Sequence, residues 1–308
     1  MEYIWPLVLK LVSTHGRSVK VSERCMKLFK SAMQTFTKYL IPVLSTTAEV
    51  LVHGFSNYRH GCYLWVSGVL IKEYASDDEL PREATEAVWT FSVQQVHNFL
   101  KFFNGLGENK IHEYPDLIED FFRMVNDILM FNPVRLIQAD DVVQPIYETG
   151  IKSLSIYYEY GPLTAVLQFF VDFYSWGFES APISFTEDIP NDLKLKILNF
   201  TMNTGEDLVG RLIYGLIYTF PDDCCPDANE LLIKLIKLST LEGSSKISMA
   251  WLDKFLMSLP ANTVNSKERL KLLSTVEAAI NSKDYRKVRS SIRDFVSWYT
   301  RKNVDRVY

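Results

Sequence analysis

Apolar residues recur at helical spacing along almost the whole chain, and little is present that would interrupt them: 308 residues hold only 13 glycines and 12 prolines. A β-sandwich or barrel needs turn residues every 8–12 positions or so, so all-β architectures are excluded and an all-α fold is expected. The 3.6-residue period predicts helices over 4–14, 19–38, 41–56, 61–75, 82–104, 115–131, 140–153, 162–176, 191–203, 205–219, 227–239, 248–257, 266–281 and 283–301. Breaks fall at Asn104-Gly105, Asn132-Pro133, Gly161-Pro162, Pro190 and between Pro221 and Pro226, where proline and glycine end helices. The stretch 177–190 is the least regular and reads as a surface loop.

Some fourteen helices joined by short turns admit a compact bundle or a solenoid of antiparallel pairs. Pair spacing of roughly 35–55 residues overlaps the HEAT and armadillo range. The absence of any fixed sequence register argues against tetratricopeptide repeats, which keep a period of about 34. Hydrophobic content of 47% is too high for a disordered chain.

Charge is distributed unevenly. Net charge is −4, yet residues 1–40 carry +5 and residues 283–308 another +5, leaving −14 for the middle. A general nucleic-acid binder is usually basic throughout; an acidic body with basic ends suits partner surfaces of mixed sign. The four cysteines, Cys25, Cys62, Cys224 and Cys225, make no disulfide framework and no CxxC pair, so a reducing compartment fits and a zinc ribbon does not. No run of 18 uncharged apolar residues occurs, so no membrane-spanning helix and no membrane insertion are expected.

No phosphate-cradling glycine loop, nucleophile elbow or HExxH is present. His15, His53, His60, His97 and His112 are scattered and read as solvated or turn residues. Cys224-Cys225 sits among aspartates that raise a thiol pKa. The acidic pairs Asp77-Asp78, Asp140-Asp141, Glu187-Asp188 and Asp222-Asp223 fall at predicted helix ends and suit N-terminal capping. No catalytic residue, cofactor or metal is expected.

One constellation stands apart. In the helix over 19–38, Lys20, Arg24 and Lys27 lie at i, i+4 and i+7, and Lys30, Gln34 and Lys38 fall near the same line. This ridge runs back to back with an apolar face of Val21, Cys25, Leu28 and Ala32. Glu23 is the one local counter-charge, whereas an ordinary exposed helix interleaves both signs. The ridge is either a solvated face or a site for an external anion such as a phosphate.

Val21-Ser-Glu-Arg-Cys-Met-Lys-Leu-Phe-Lys30 resembles a helix in the transportin-SR branch of the importin-β karyopherins. So do His60–Tyr74, Glu119–Arg123 through Asn132–Leu136, Trp251–Pro260 and Ile292–Phe295, in family order over nearly the whole chain. The resemblance implies a HEAT-repeat superhelical solenoid, one continuous array over 1–308 cut from the C-terminal part of a longer receptor. It implies a nuclear import receptor, not an enzyme, that shuttles between nucleus and cytoplasm. Cargo would be an SR/RG-rich RNA-binding protein held on the concave face, with Lys20, Arg24, Lys27 and Lys30 at basic family positions. Ran-GTP and nucleoporins would be partners through the full-length receptor. Only Arg24 is arginine in that run, and lysine lacks the bidentate fork, so a cargo with few phosphates or none also fits. A scaffold without transport function and an α-repeat that binds RNA directly are the alternatives.

Overall fold

The computed structural model describes residues 4–75, 80–182, 188–241, 244–260 and 262–304. Among them are thirteen α-helices of twelve residues or more, and no strand. The chain divides into two compact units, Met1–Thr149 and Gly150–Tyr308.

The first unit contains α1 (Ile4–His15), α2 (Val19–Phe36), α3 (Ile41–Tyr58), α4 (Gly61–Tyr74), α5 (Arg82–Gly105) and α6 (Pro115–Phe131). Helices α2, α4 and α6 lie side by side in one layer, and α1, α3 and α5 form the other. The helix α7 (Asp140–Ser153) follows at the division between the units. In the second unit, α8 (Tyr160–Ser175), α10 (Cys225–Ser239) and α13 (Tyr285–Asn303) form one layer. There α9 (Asn191–Tyr214), α11 (Lys246–Ser258) and α12 (Ser266–Asn281) form the other. Each unit is thus a short stack of antiparallel pairs, in which a helix buries its apolar stripe only against its neighbours.

Local chemistry explains most helix ends. Pro42, Pro115 and Pro226 occupy first turns, where the missing N–H would be unpaired anyway. Arg59 adopts the left-handed conformation (φ 57°) at the end of α3, reversing the chain into α4. Lys283 does the same (φ 56°) before α13. Asp284 then caps α13, accepting from the Lys287 N–H at 3.0 Å, so that helix starts at Tyr285 rather than 283. Asn265 and Glu268 close a reciprocal capping box on α12. Asp140 and Asp141 fall in the first turn of α7, as their pairing suggested; Asp77-Asp78 and Glu187 lie outside the described residues.

Two expectations are corrected. The segments 191–203 and 205–219 are not separate helices: α9 runs unbroken from Asn191 to Tyr214 and ends in a wider π turn over Gly215–Thr219. Gly205 is buried against the indole of Trp251 on α11, so it serves packing and not helix termination. The second concerns α2, whose buried arc is Ser22, Cys25, Met26, Phe29, Ala32 and Met33, while Leu28 is 43% exposed. Both α1 and α4 cover this helix, which widens the arc toward Met26 and Met33 and leaves Leu28 beyond it.

Several buried polar groups in the first unit are paired across helices. Ser22 Oγ donates to the Gly16 carbonyl (3.0 Å) and accepts from Tyr63 OH (2.9 Å), tying α2 to α4. Gln95 Nε2 of α5 donates to Ser67 Oγ of α4 (3.0 Å). All four cysteines are free thiols. Burial, followed by nearby carboxylates, pushes the Cys62 thiol up to about 12. Burial likewise raises Cys224 and Cys225 ahead of the aspartates beside them.

Candidate functional site

Lys20, Arg24 and Lys27 are exposed, on the side of α2 turned away from Met26, Phe29 and Met33. Lys30 departs from them. It is half-buried, and its Nζ stands 5.0 Å from the ring centroid of Trp65 on α4, a cation–π distance. Gln34 is exposed. Among the described residues none of the four cations makes an ion pair. The ridge is therefore a standing positive charge with little local compensation beyond Glu23.

The next two helices of the layer change the chemistry from cationic to aromatic to acidic. Trp65 is half-buried on α4. Beyond it, α6 presents Asp116, Glu119, Asp120, Arg123 and Asp127, with Glu119 and Arg123 paired one turn apart. Gly61 and Gly68 allow this close approach of α4 and α6: a Cβ on Gly68 would lie 2.5 Å from Asp127 Oδ2, and one on Gly61 would collide with Asp120 Oδ2. Asp120 and Asp127 are seven residues apart and so share a helix face, each set against one of the glycines.

Those two carboxyls are half-buried, and burial raises both to about 6. Arg123 partly offsets the rise at Asp120, and Lys72 at Asp127. A carboxyl whose folded pKa exceeds its unfolded value of about 3.9 favours the protonated folded state. Its contribution to stability is complete below about pH 4 and is lost as the pH rises through 6. Replacing Asp127→Asn removes that loss. We expect the variant to gain about 1 kcal/mol over wild type at pH 7.5, after discount for partial exposure, and nothing at pH 4. Thermal melts at the two pH values measure this, and equal shifts at both would contradict the assignment.

Between α2, the α3–α4 turn and α6 lies a cleft of about 400 Å³ lined by Glu23, Arg59, Cys62, Asp116, Glu119 and Asp120. The Arg59 guanidinium carbon lies 5.3 Å from the Phe55 ring and 4.9 Å from the Phe102 ring. Its Nη1 is buried without a hydrogen-bond partner, and desolvation lowers its pKa. The histidines do not converge: His60 Nε2 is 3.1 Å from the Gly16 carbonyl and His97 Nε2 is 3.3 Å from the Asp141 carbonyl. Among the described residues no group of three His, Cys, Asp or Glu side chains is placed to hold a metal ion, and no helix is long and apolar enough to cross a membrane.

The basic ridge was legible from spacing; Trp65 and the Asp120/Asp127 pair were not singled out. The signal available for them was the seven-residue repeat itself, Gly61 to Gly68 on one helix and Asp120 to Asp127 on another.

Comparison with known proteins extends this picture. Residues 1–100 match the model of the Transportin-3/Importin-13 fourth TPR domain. Despite that name, successive helices of the α1–α3–α5 layer start at residues 4, 41 and 82, spacings longer than the tetratricopeptide period of about 34. The chain is 31% identical over 314 residues to the mRNA transport regulator MTR10 of Saccharomyces cerevisiae, covering 99% of this chain and 32% of that protein. An uncharacterised protein of Schizosaccharomyces pombe is 28% identical over 299 residues, covering 97% of this chain and 30% of its own length. The chain therefore spans about a third of the length of these relatives. A solved structure titled "Importin13 cytosolic state" superposes with a TM-score of 0.74 at 14% identity, over 99% of this chain and 31% of that one, which speaks to the helical-repeat fold.

Proposed function

Since the chain is a segment of an importin-β family karyopherin of the Transportin-3/Importin-13 kind, we infer that it forms the cargo-recognising part of a nuclear import receptor. The cargo class is an RNA-binding protein with an SR- or RG-rich tail. A transport receptor works by differential binding and needs no catalytic group. Ran-GTP and nucleoporins act on the full-length receptor, which carries cargo from cytoplasm to nucleus. The name of the yeast relative, an mRNA transport regulator, supports cargo drawn from mRNA-binding proteins.

The observation that carries this reading is the change of sign across one helix layer. Lys20, Arg24 and Lys27 stand exposed and without ion pairs on α2, Lys30 leans over Trp65 on α4, and carboxylates line α6. A cargo tail that alternates arginine with serine or phosphoserine has both complements: its anionic groups suit α2 and its guanidinium groups suit α6. In the family pattern the resemblance implies, cargo lies on the concave face of the helical array, and this layer is the one we assign to it. Titration of a labelled Arg-Ser-rich tail, phosphorylated and unphosphorylated, tests the reading. Binding that survives charge reversal of α2 would overturn it, and RNA binding without any cargo protein would favour the RNA-binding alternative.

A further inference from the structure

The basic end of the chain is not absorbed by the cargo surface on α2. Helix α13 carries Arg286, Lys287, Arg289, Arg293, Arg301 and Lys302 against Asp294 alone. It buries Val288, Ile292, Phe295 and Tyr299, and the stripe Arg286, Arg289, Arg293 at i, i+3 and i+7 lies turned away from that face. All three arginines are exposed, and among the described residues none makes an ion pair. Four arginines in the middle of the chain behave differently: Arg123, Arg135, Arg211 and Arg269 are each paired with a carboxylate. Arg286 and Lys287 also stand in the first turn of α13, where the helix's own field is positive and disfavours cations and the nearest carboxylate is the N-cap Asp284, engaged with the Lys287 N–H. Arg289 and Arg293 lie beyond the first turn, where that field has faded, but three like-charged guanidinium forks in a row repel one another unless an anion meets them.

We propose that the Arg286–Arg289–Arg293 stripe is a second interaction surface, which docks an acidic peptide segment of a partner protein. The stripe extends about 10 Å along the helix at about 1.5 Å per residue, and an extended peptide advances about 3.3 Å per residue. A run of three or four acidic residues therefore spans it; side chains alternate along an extended peptide, so the first and third carboxylates face the stripe and each meets a bidentate fork. Two features favour a peptide over single-stranded nucleic acid. Bases need open aromatic faces to stack on, whereas Trp298 on this helix is covered by Lys302, whose Nζ lies 4.8 Å from the ring centroid. The rest of the unit, residues 150–282, is acidic overall and would repel a longer phosphodiester chain, while a short acidic run meets only the stripe.

The test is fluorescence anisotropy with the whole chain and a labelled synthetic peptide carrying six consecutive glutamates. A glutamine peptide and a single-stranded RNA hexamer serve as comparison probes. The glutamate peptide should bind, and the triple variant Arg286→Gln, Arg289→Gln, Arg293→Gln should weaken it at least tenfold. The pair Arg24→Gln, Lys27→Gln should change it less than twofold. The triple replacement by lysine, which keeps the charge and removes the fork, should fall between; it stands in if the glutamine triple loses its circular dichroism spectrum. The proposal is overturned if the peptide does not bind or if both sets of variants weaken it equally. It is also overturned if RNA binds more tightly than the peptide through the same arginines. Self-association of the chain that disappears in the triple variant would overturn it too, by making a second copy the occupant.

Discussion

Replacing Arg24→Glu and Lys27→Glu together should weaken binding of an SR-rich cargo tail by roughly thirtyfold, about 2 kcal/mol, while leaving the fold intact. The two side chains are exposed and lie outside the buried arc of α2, so their replacement removes no core contact. The magnitude follows from the kind of contact. An exposed ion pair contributes about 0.2–1 kcal/mol, a charge-assisted bond from arginine to phosphate contributes more, and reversal adds repulsion to the loss. A phosphoserine carries about −1.5 to −2 charges near neutral pH, so the phosphorylated tail should lose more than the unphosphorylated one. Salt gives an independent reading, because exposed contacts are screened over about 8–10 Å at 0.1–0.15 M ionic strength. Wild-type affinity should fall as salt rises, and the variant should respond less steeply. Unchanged affinity in a variant with a native circular dichroism spectrum would reduce the ridge to a solvated face.

Most helix boundaries could be read in advance because their determinants are local. Pro42 and Pro115 announce first turns, and Asn104-Gly105 marks where α5 stops. The misreadings have a common origin in neighbours that no local pattern names. Leu28 belongs to an apolar stripe by spacing, but which part of the stripe is covered depends on the positions of α1 and α4, and they cover Met26 and Phe29 instead. Lys30 lies near the line of Lys20, Arg24 and Lys27, yet it is drawn aside by Trp65, thirty-five positions further along the chain. Asp120 and Asp127 look like any pair of exposed acids until α4 meets them with Gly61 and Gly68. One helix's charge was thus legible in the sequence. The surface that three helices make together required knowing which of them are adjacent.

Gly205 and Gly210 sit on the same helix, and the same substitution should have opposite effects at the two. Glycine inside a helix costs about 0.5–1 kcal/mol relative to alanine where nothing else intervenes. At Gly210 a Cβ would meet no atom within 4 Å, so Gly210→Ala should stabilise the second unit by up to about that amount. At Gly205 a Cβ would come 2.7 Å from Cζ2 of Trp251, whose side chain is 5% exposed. The indole must shift within a packed interface between α9 and α11, and overpacking of this kind costs about 1–3 kcal/mol. Set against the gain in helix propensity this leaves a net cost of about 0.5–2 kcal/mol, so Gly205→Ala should lower the melting temperature by about 1–8 °C at roughly 2–4 °C per kcal/mol. Shortening the partner separates the steric cause from any effect on the backbone. Trp251→Leu alone loses buried aromatic area, but combined with Gly205→Ala it should cost less than the two single losses added, because the new methyl then enters space the indole has left. Strict additivity of the two changes, or stabilisation by Gly205→Ala alone, would mean that the indole yields freely and that the continuity of α9 past residue 205 does not depend on this contact.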